Sequence, residues 1–379
     1  MHIVFRAAFI ISAVLFSSVF ILAADKKEDL TAASYIVIEA DTGMMIDGID
    51  TERRLDIGYL SKLMSILLIA EDIDSGKYTF NDILTVSDSV TGTKGSVIWL
   101  QSGDALTVDE LLKSVIVGNA NDALTVLAEN SSGSIGDFVN DMNAKAFDLG
   151  LRDTFFKTPY GYSDDASYST AHDMAVICSE LAKHSFLQRY FTIWRDFVKN
   201  GQVELVSEND LARNYDKHIG FKACHSDRSG YCIAEGGRKG DGTAFIVVIL
   251  GADTAENSFK AAKKLIKQAC YNYKVSDTMF PEEMLKPVLV RSGTESAVEI
   301  GIKEQGRTVV PREQTELRTK VVIPEFLTAP VRADQPVGTA AFYNGDKLVF
   351  EADIITKSAV PRLDFTYVLE KLLVKLIEK

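Results

Sequence analysis

Three short segments of the sequence carry side chains that could take part in one reaction. Tyr59 and Lys62 lie three residues apart at the start of an apolar helical pattern, a spacing that places a hydroxyl and an amine on one helix face. Asn119 and Asn121 lie between two helical stretches, and Lys222 leads a segment that reads as strand, turn and strand. Each is ordinary alone, because a helical lysine is usually solvated and asparagines often form caps or turns. Their order, their separations and the residues that flank them are more informative than any one of them alone.

Patterns of apolar residues predict the elements that must position these side chains. Between about 33 and 274 they predict a hairpin over 34–46, helices over 60–73, 108–117, 123–128 and 135–149, a buried strand over 244–251 and a closing amphipathic helix over 258–274. Strands stand at both ends of this region, with helices between them. The region therefore predicts an α+β domain in which one sheet joins strands that are distant in sequence.

The sequence after 276 has a different character. Four segments, 287–290, 297–302, 316–323 and 348–355, alternate like half-exposed strands, and Asn344-Gly345 is a strong hairpin signal. They predict a small all-β domain. From 361 to 379 apolar residues return at helical spacing beside a row formed by Lys371, Lys375 and Lys379. This amphipathic helix suits a membrane surface, and the alternative is a helix packed against the β domain.

Length, charge and the first residues limit the class of protein. A chain of 379 residues suggests two domains, and a net charge of −12 argues against nucleic-acid binding. Residues 1–24 have a basic start, an apolar run and small residues before a charged stretch, which predicts a secretory signal peptide or, alternatively, an uncleaved anchor. We therefore expect export, no cofactor, and no metal, since His184, His218 and His225 lack zinc-ligand spacing. The predicted divisions are a signal peptide over 1–24, the α+β domain over 30–275, the β-rich domain over 276–360 and the amphipathic helix over 361–379.

The three segments together resemble a known set of motifs. In this order they match the positions of Ser-x-x-Lys, Ser-x-Asn and Lys-Thr-Gly in penicillin-binding proteins and serine β-lactamases. The flanks at 53–55, 101–112, 151–161 and 168–175 narrow the likeness to the D-alanyl-D-alanine carboxypeptidases of the low-molecular-mass penicillin-binding type, serine peptidase family S11, over about 33–274. The resemblance implies a transpeptidase-like α+β fold and a peptidoglycan stem peptide as substrate. It also implies catalytic positions at Tyr59, Lys62, Asn119 and Asn121, and substrate-binding positions at Lys222, Ala223, Cys224 and His225.

The first motif departs from the family at its nucleophile. In the family a serine attacks the penultimate D-Ala carbonyl and the lysine three residues later takes its proton. Here Tyr59 stands at the serine position while Lys62 is kept. A tyrosine hydroxyl lies a full ring further from the backbone, so its oxygen would overshoot the oxyanion hole and its ring would occupy substrate space. Ser61 adjoins Lys62 and points along a different face.

The other two motifs lose their hydroxyls as well. Asn119 replaces the second serine, and an amide cannot relay protons as a hydroxyl does. Ala223 and Cys224 replace the threonine that binds the terminal carboxylate and the glycine that lets the substrate lie along the strand. Asn121, which in the family orients the lysine and contacts substrate, is retained, and Lys222 can still attract an anion.

The pattern predicts a carboxypeptidase scaffold without hydrolytic machinery, which binds wall peptide or a cell-wall synthesis protein. The alternatives are an active serine-type carboxypeptidase that uses another hydroxyl, and a structural envelope protein that displays the β domain. Cys224 and Cys232 flank the predicted hairpin turn, so a cross-strand disulfide and two free thiols both stay open.

Overall fold

The computed structural model describes residues 31–161, 167–278, 280, 285–304, 306–313 and 317–369. The predicted signal peptide at 1–24 lies outside these residues, as does 370–379, the greater part of the predicted C-terminal helix. The described part of that segment is helical at 365–369. No helix among the described residues has the length and hydrophobicity needed to cross a membrane.

The first part of the chain combines helices with a central sheet. The helices are α1 (Lys62–Asp74), α2 (Val108–Ile116), α3 (Asn121–Ser132), α4 (Ile135–Asp148), α5 (Ala171–Lys183), α6 (Gln188–Phe191), α7 (Leu211–Asn214) and α8 (Ala255–Asn272). The strands are β1 (Ser34–Glu39), β2 (Met45–Ile49), β3 (Ile83–Thr85), β4 (Ala105–Thr107), β5 (Arg195–Val198), β6 (Val203–Val206), β7 (His218–Ser226), β8 (Gly230–Arg238) and β9 (Ala244–Ala252). The predicted α+β class is confirmed.

One five-stranded antiparallel sheet organises this part. Its order is β2-β1-β9-β8-β7, so β1 pairs with β9 although about two hundred residues separate them, as the sequence predicts. Nearly every residue of β9 is buried, since α5 and α8 both pack against the sheet and cover its two faces. β7 forms the sheet edge, with only β8 as a described neighbour.

Helix α1 occupies the centre of the helical layer. Leu63, Met64, Leu67 and Ala70 on this helix are fully buried, and α3, α4 and α5 surround it. Because α1 is enclosed on several sides, its apolar residues are not confined to one stripe. The start of α1, where Lys62 follows the turn that carries Tyr59, is therefore held by the core.

A second group of strands follows α8. They are β10 (Tyr273–Asp277), β11 (Val288–Arg291), β12 (Ala297–Val298), β13 (Ile300–Ile302), β14 (Arg307–Pro311), β15 (Arg318–Val322), β16 (Phe326–Thr328), β17 (Pro336–Asn344) and β18 (Lys347–Thr356). β17 and β18 form the hairpin predicted at Asn344-Gly345, and Val288, Ile300, Phe342 and Ile354 belong to a separate apolar core. The predicted closing helix ends two residues early, because Tyr273 and Lys274 start β10 and pair with β14.

Candidate active site

Tyr59 and Lys62 lie where a short 3-10 turn, Gly58–Ser61, runs into α1. Gly58 adopts a positive φ of 50°, and a Cβ there would press on Ser229 of the neighbouring strand connection. Gly161 approaches the turn so closely that a Cβ on it would collide with the Gly58 carbonyl oxygen. These close approaches fix the turn, and with it the direction of both motif side chains.

Lys62 is held by Asn119 rather than by a hydroxyl. Its buried ammonium donates to the backbone oxygen of Asn119 at 2.5 Å and to the Oδ1 of the same residue at 2.7 Å. Asn119 adopts a left-handed backbone with φ of 58°, a conformation that asparagine tolerates better than most residues. The Lys62 ammonium also lies 4.9 Å from the centre of the Tyr59 ring, over its face. The lysine therefore meets the π face of Tyr59.

Burial makes the charged form of Lys62 energetically unfavourable in this position. Burial lowers its pKa well below the usual lysine value, and the nearby charge of Lys222 lowers it further. Glu208, Cys224 and Asp122 oppose the fall. A lysine with a depressed pKa suits a general base, but this one has its ammonium bound to two oxygens that carry no proton to give.

Asn121 makes no hydrogen bond to Lys62 among the described residues. It begins α3, its Nδ2 donates to the Lys94 carbonyl at 2.6 Å, and its backbone N–H donates to the Ser96 carbonyl at 2.7 Å. Its buried Oδ1 has no hydrogen-bond partner among the described residues, so the amide does not orient Lys62. The expected partner of the lysine is thus replaced by Asn119, two residues earlier, because the left-handed turn brings that side chain to the ammonium.

The third motif lies on the edge strand β7, where successive side chains alternate between faces. Cys224 lies against the first motif, with its Sγ 3.6 Å from the Ile57 carbonyl oxygen. Lys222, two residues before it, shares that face and is buried. Ala223 and His225 belong to the other face, where the exposed His225 ring stacks on Tyr231 at 4.2 Å. The His225 ring is therefore not among the groups that meet Lys62.

Cys224 and Cys232 are directly opposite each other on β7 and β8. Both are buried free thiols in this structure. A hydrogen bond between the two thiols and burial together raise the pKa of Cys224, and the same hydrogen bond lowers the pKa of Cys232. The Cys224 side chain fills space that a glycine would leave open on the Lys222 face of the strand.

Glu208 is a site residue that no sequence pattern indicates. It lies in the connection between β6 and α7, is exposed, and acts electrostatically on Lys62, Lys222 and Cys224. Burial lowers the pKa of Lys222, and Glu208 is the largest opposing influence. Lys222 makes no hydrogen bond or ion pair with the described residues. The region around Lys62, Lys222 and Cys224, called the groove below, therefore holds two buried lysines and the solvent-facing carboxylate of Glu208.

A buried polar network fixes the Glu208 connection to the sheet. Asn209 Nδ2 donates to Glu235 Oε2 at 2.8 Å, and Glu235 Oε1 lies 2.5 Å from His218 Nδ1. The other ring nitrogen of His218 lies 2.9 Å from the Phe191 carbonyl oxygen. Since both ring nitrogens face acceptors, the imidazole is held as a cation, and the interactions with Glu235 raise the pKa of His218 against the effect of burial.

The three motif segments lie close together at this site. Asn119 hydrogen-bonds to Lys62 at the start of α1, and Lys222 and Cys224 act on Lys62 from the edge strand β7. Among the described residues the hydrogen-bond partners of the Lys62 ammonium are the two oxygens of Asn119, and no hydroxyl bonds to it.

Comparison with known proteins identifies the scaffold. Residues 21–254 match the family model for D-alanyl-D-alanine carboxypeptidase, and residues 277–362 match the model for the C-terminal domain of penicillin-binding protein 5. The D-alanyl-D-alanine carboxypeptidase DacF of Bacillus subtilis is 28% identical over 345 residues, which are 90% of this chain and 88% of that protein.

Solved structures show the same architecture. Penicillin-binding protein 5 of Haemophilus influenzae superposes with a TM-score of 0.80 over 88% of this chain and 98% of its own, at 23% identity. Penicillin-binding protein D2 of Listeria monocytogenes, solved with ampicillin bound, gives a TM-score of 0.57 at 26% identity over 63% of this chain and 98% of its own. The predicted penicillin-binding-protein fold with a small C-terminal β domain is confirmed, and the chain belongs to the D-alanyl-D-alanine carboxypeptidase family of peptidoglycan metabolism.

Proposed function

We propose that this chain is a member of the family without carboxypeptidase activity, and that its groove binds the carboxylate end of a peptidoglycan stem peptide. The observation that carries the proposal is the state of Lys62. Its ammonium donates to both oxygens of Asn119 and lies over the ring face of Tyr59. A proton acceptor in that state has no hydroxyl to activate.

The loss of the nucleophile alone accounts for a large defect. Catalytic groups that act as a unit fail together, so removal of one member costs nearly as much as removal of all. Ser61, the other hydroxyl of the turn, donates to the Gly58 carbonyl at 3.0 Å and is fully buried. The nearest serine to Lys62 in sequence is thus engaged in holding the turn.

The binding part of the proposal depends on Lys222. This buried lysine has no hydrogen bond or ion pair with the residues that the structure describes, so a ligand carboxylate would form a charge-assisted contact with it. Ala223 lacks the hydroxyl that the family uses to bind the same carboxylate. The Cys224 side chain also occupies space beside the strand that a glycine would leave to the ligand. We therefore expect weaker binding than in an active relative, with most of the attraction from one charge.

The test of inactivity is intact mass after incubation with penicillin, with Bacillus subtilis DacF as a positive control. We expect no adduct on this chain and none on its Tyr59→Phe variant. A stoichiometric adduct that disappears in Tyr59→Phe would make Tyr59 a nucleophile and establish the active alternative. Tyr59→Ser alone should release no D-Ala, because Asn119, Ala223 and Cys224 remain; measurable release would show that those positions matter little.

The test of binding is titration with a peptide that ends in D-Ala-D-Ala. We expect weak saturable binding that Lys222→Ala abolishes and that Lys157→Ala, an exposed lysine, leaves unchanged. Affinity unchanged by Lys222→Ala would remove Lys222 from the site. No binding at all would favour a wall-synthesis protein as the partner, or the structural role in which the first domain only displays the β domain.

We further propose that the chain acts outside the cytoplasm, at the outer face of the cytoplasmic membrane or in the wall. Support comes from the signal-like residues 1–24 and from the amphipathic pattern over 361–379. In that pattern Glu370 and Glu378 offset part of the lysine charge, so burial of apolar side chains must supply most of the membrane affinity.

A further inference from the structure

A cavity lies on the described surface at the C-terminal end of α8, beside the start of β10 and the end of β14. It has a volume of about 840 Å³, within the size range of small-ligand sites. Its lining comes from the connections before β7 and after β8, from the end of α8 and from the residue after β14. None of the three motif segments contributes to it.

The cavity is lined mainly by positive charges, whereas the chain as a whole is negatively charged. Lys217, Lys239, Lys267 and Arg312 line it, and Asp216 is the acidic residue among the lining groups. The chain as a whole carries a net charge of −12. A concave surface focuses the field of the charges around it, so the cavity attracts anions although the protein as a whole is acidic.

Three of these cations have no side-chain partner among the described residues. Lys239 lies 3.0 Å from Asp241 and donates to the Tyr273 carbonyl at 3.2 Å. By contrast, the side chains of Lys217, Lys267 and Arg312 form no hydrogen bond or ion pair with the described residues. A bound anion would therefore not have to displace an internal partner of these three groups.

Two of the cations, Lys239 and Lys217, act on the same residue of the cavity wall. Cys270, half-buried in that wall, has its thiol pKa raised by burial, and Lys239 and Lys217 are the two groups that most oppose the rise. Both ammonium groups therefore act on the same atom from different connections. Tyr271, which is 73% exposed, and the largely buried Tyr215 add flat aromatic surface beside them.

We propose that this cavity binds a ligand that carries two or more phosphate groups. Three uncommitted cations on separate elements match several negative charges better than a single carboxylate, and the guanidinium of Arg312 can bind phosphate oxygens through two N–H groups. Arg312 follows β14 whereas Lys267 lies on α8, so the ligand would bridge the two parts of the chain. The source is a soluble molecule with two or more phosphates or the headgroup of a phospholipid that carries two phosphates.

The experiment is calorimetric titration of the full mature chain with inorganic tripolyphosphate at low ionic strength. We expect one saturable site, with affinity five- to tenfold weaker in Lys267→Gln and in Arg312→Gln. The matched control is Lys260→Gln, which lies on the same helix but pairs with Glu256; it should change the affinity by less than twofold. If the affinity of the Lys260→Gln control fell as much as that of the cavity variants, the effect would come from overall charge, and the proposed binding site would be overturned.

Two further arms separate the sources and the sites. Saturable binding of a soluble, deacylated bisphosphate lipid headgroup that fails in Lys267→Gln assigns a lipid source, whereas tripolyphosphate binding without headgroup binding assigns a soluble ligand; neither probe can bind through the amphipathic C-terminal segment. The bound probe should also slow alkylation of Cys270, and Lys222→Ala should leave the titration unchanged, so the outcome is independent of the groove at Lys62. Absence of saturable binding to both probes overturns the proposal.

Discussion

Replacement of Asn119 by glycine and by alanine separates two contributions of this residue to the fold. Asn119 supplies an acceptor to the buried Lys62 ammonium at 2.7 Å and adopts a left-handed backbone. Glycine keeps the backbone freedom and loses the acceptor, while alanine loses both. If Asn119 anchors Lys62, Asn119→Gly should be destabilised and Asn119→Ala should be destabilised further.

The magnitudes follow from the geometry. A hydrogen bond to a charged group contributes about 1.5–3 kcal/mol, and the buried Lys62 would keep only the backbone acceptor in Asn119→Gly. A left-handed alanine costs roughly 1–2 kcal/mol more than glycine. We therefore expect losses in the free energy of unfolding of about 1.5–3 kcal/mol for the glycine variant and roughly 2.5–5 kcal/mol for the alanine variant.

The assay is thermal unfolding followed by circular dichroism. For a domain of this size 1 kcal/mol corresponds to about 2–4 °C in the midpoint, so the glycine variant should unfold about 3–12 °C lower. Asn119→Asp, which keeps the acceptor and adds a charge, should raise the Lys62 pKa. A glycine variant as stable as the parent would refute the anchoring role of Oδ1, and equal stability of the glycine and alanine variants would refute the left-handed backbone.

Three other predictions concern the groove rim, the buried network and the C-terminus. Glu208→Gln should strengthen binding of an anionic peptide by Lys222 about two- to fivefold at low salt, since an exposed charge contributes up to about 1 kcal/mol; unchanged affinity in a titration would exclude Glu208 from the groove. The raised pKa of His218 stabilises the fold fully below about pH 6.5, and that contribution falls as pH rises through the raised value. The parent should unfold at a higher temperature than the double variant His218→Asn/Glu235→Gln, and this difference in the thermal midpoint should shrink between pH 6 and pH 9. A difference that stays constant over that range would contradict the charged state of the imidazole. The full mature chain should sediment with anionic liposomes while a chain ending at Pro361 stays in solution; if both stay in the supernatant, the segment belongs to the protein's own fold.

Much of the architecture was predictable from sequence because periodicity is a local property. The apolar spacing at 60–73 predicts a helix, observed as α1, and the run at 244–251 predicts the buried strand β9. The end of α8 was not predictable, because Tyr273 and Lys274 are compatible with the amphipathic helical pattern but pair with β14 instead. Cross-strand hydrogen bonds to a segment more than thirty residues away decide that boundary.

The sequence by itself determined which of the family's side chains are replaced: Tyr59 and Asn119 stand where the family has serines, Ala223 where it has a threonine and Cys224 where it has a glycine. Side-chain identity is a property of the sequence alone, so no conformation of the chain restores a serine or threonine hydroxyl at these positions.

Only the tertiary structure decided what the remaining groups do. It assigns Lys62 to Asn119 instead of Asn121 because a left-handed residue redirects the loop before α3. It brings Glu208 to the groove because Asn209 ties its connection to the buried Glu235. Hydrogen bonds between residues far apart in sequence depend on how separate elements pack, and no local pattern encodes that packing.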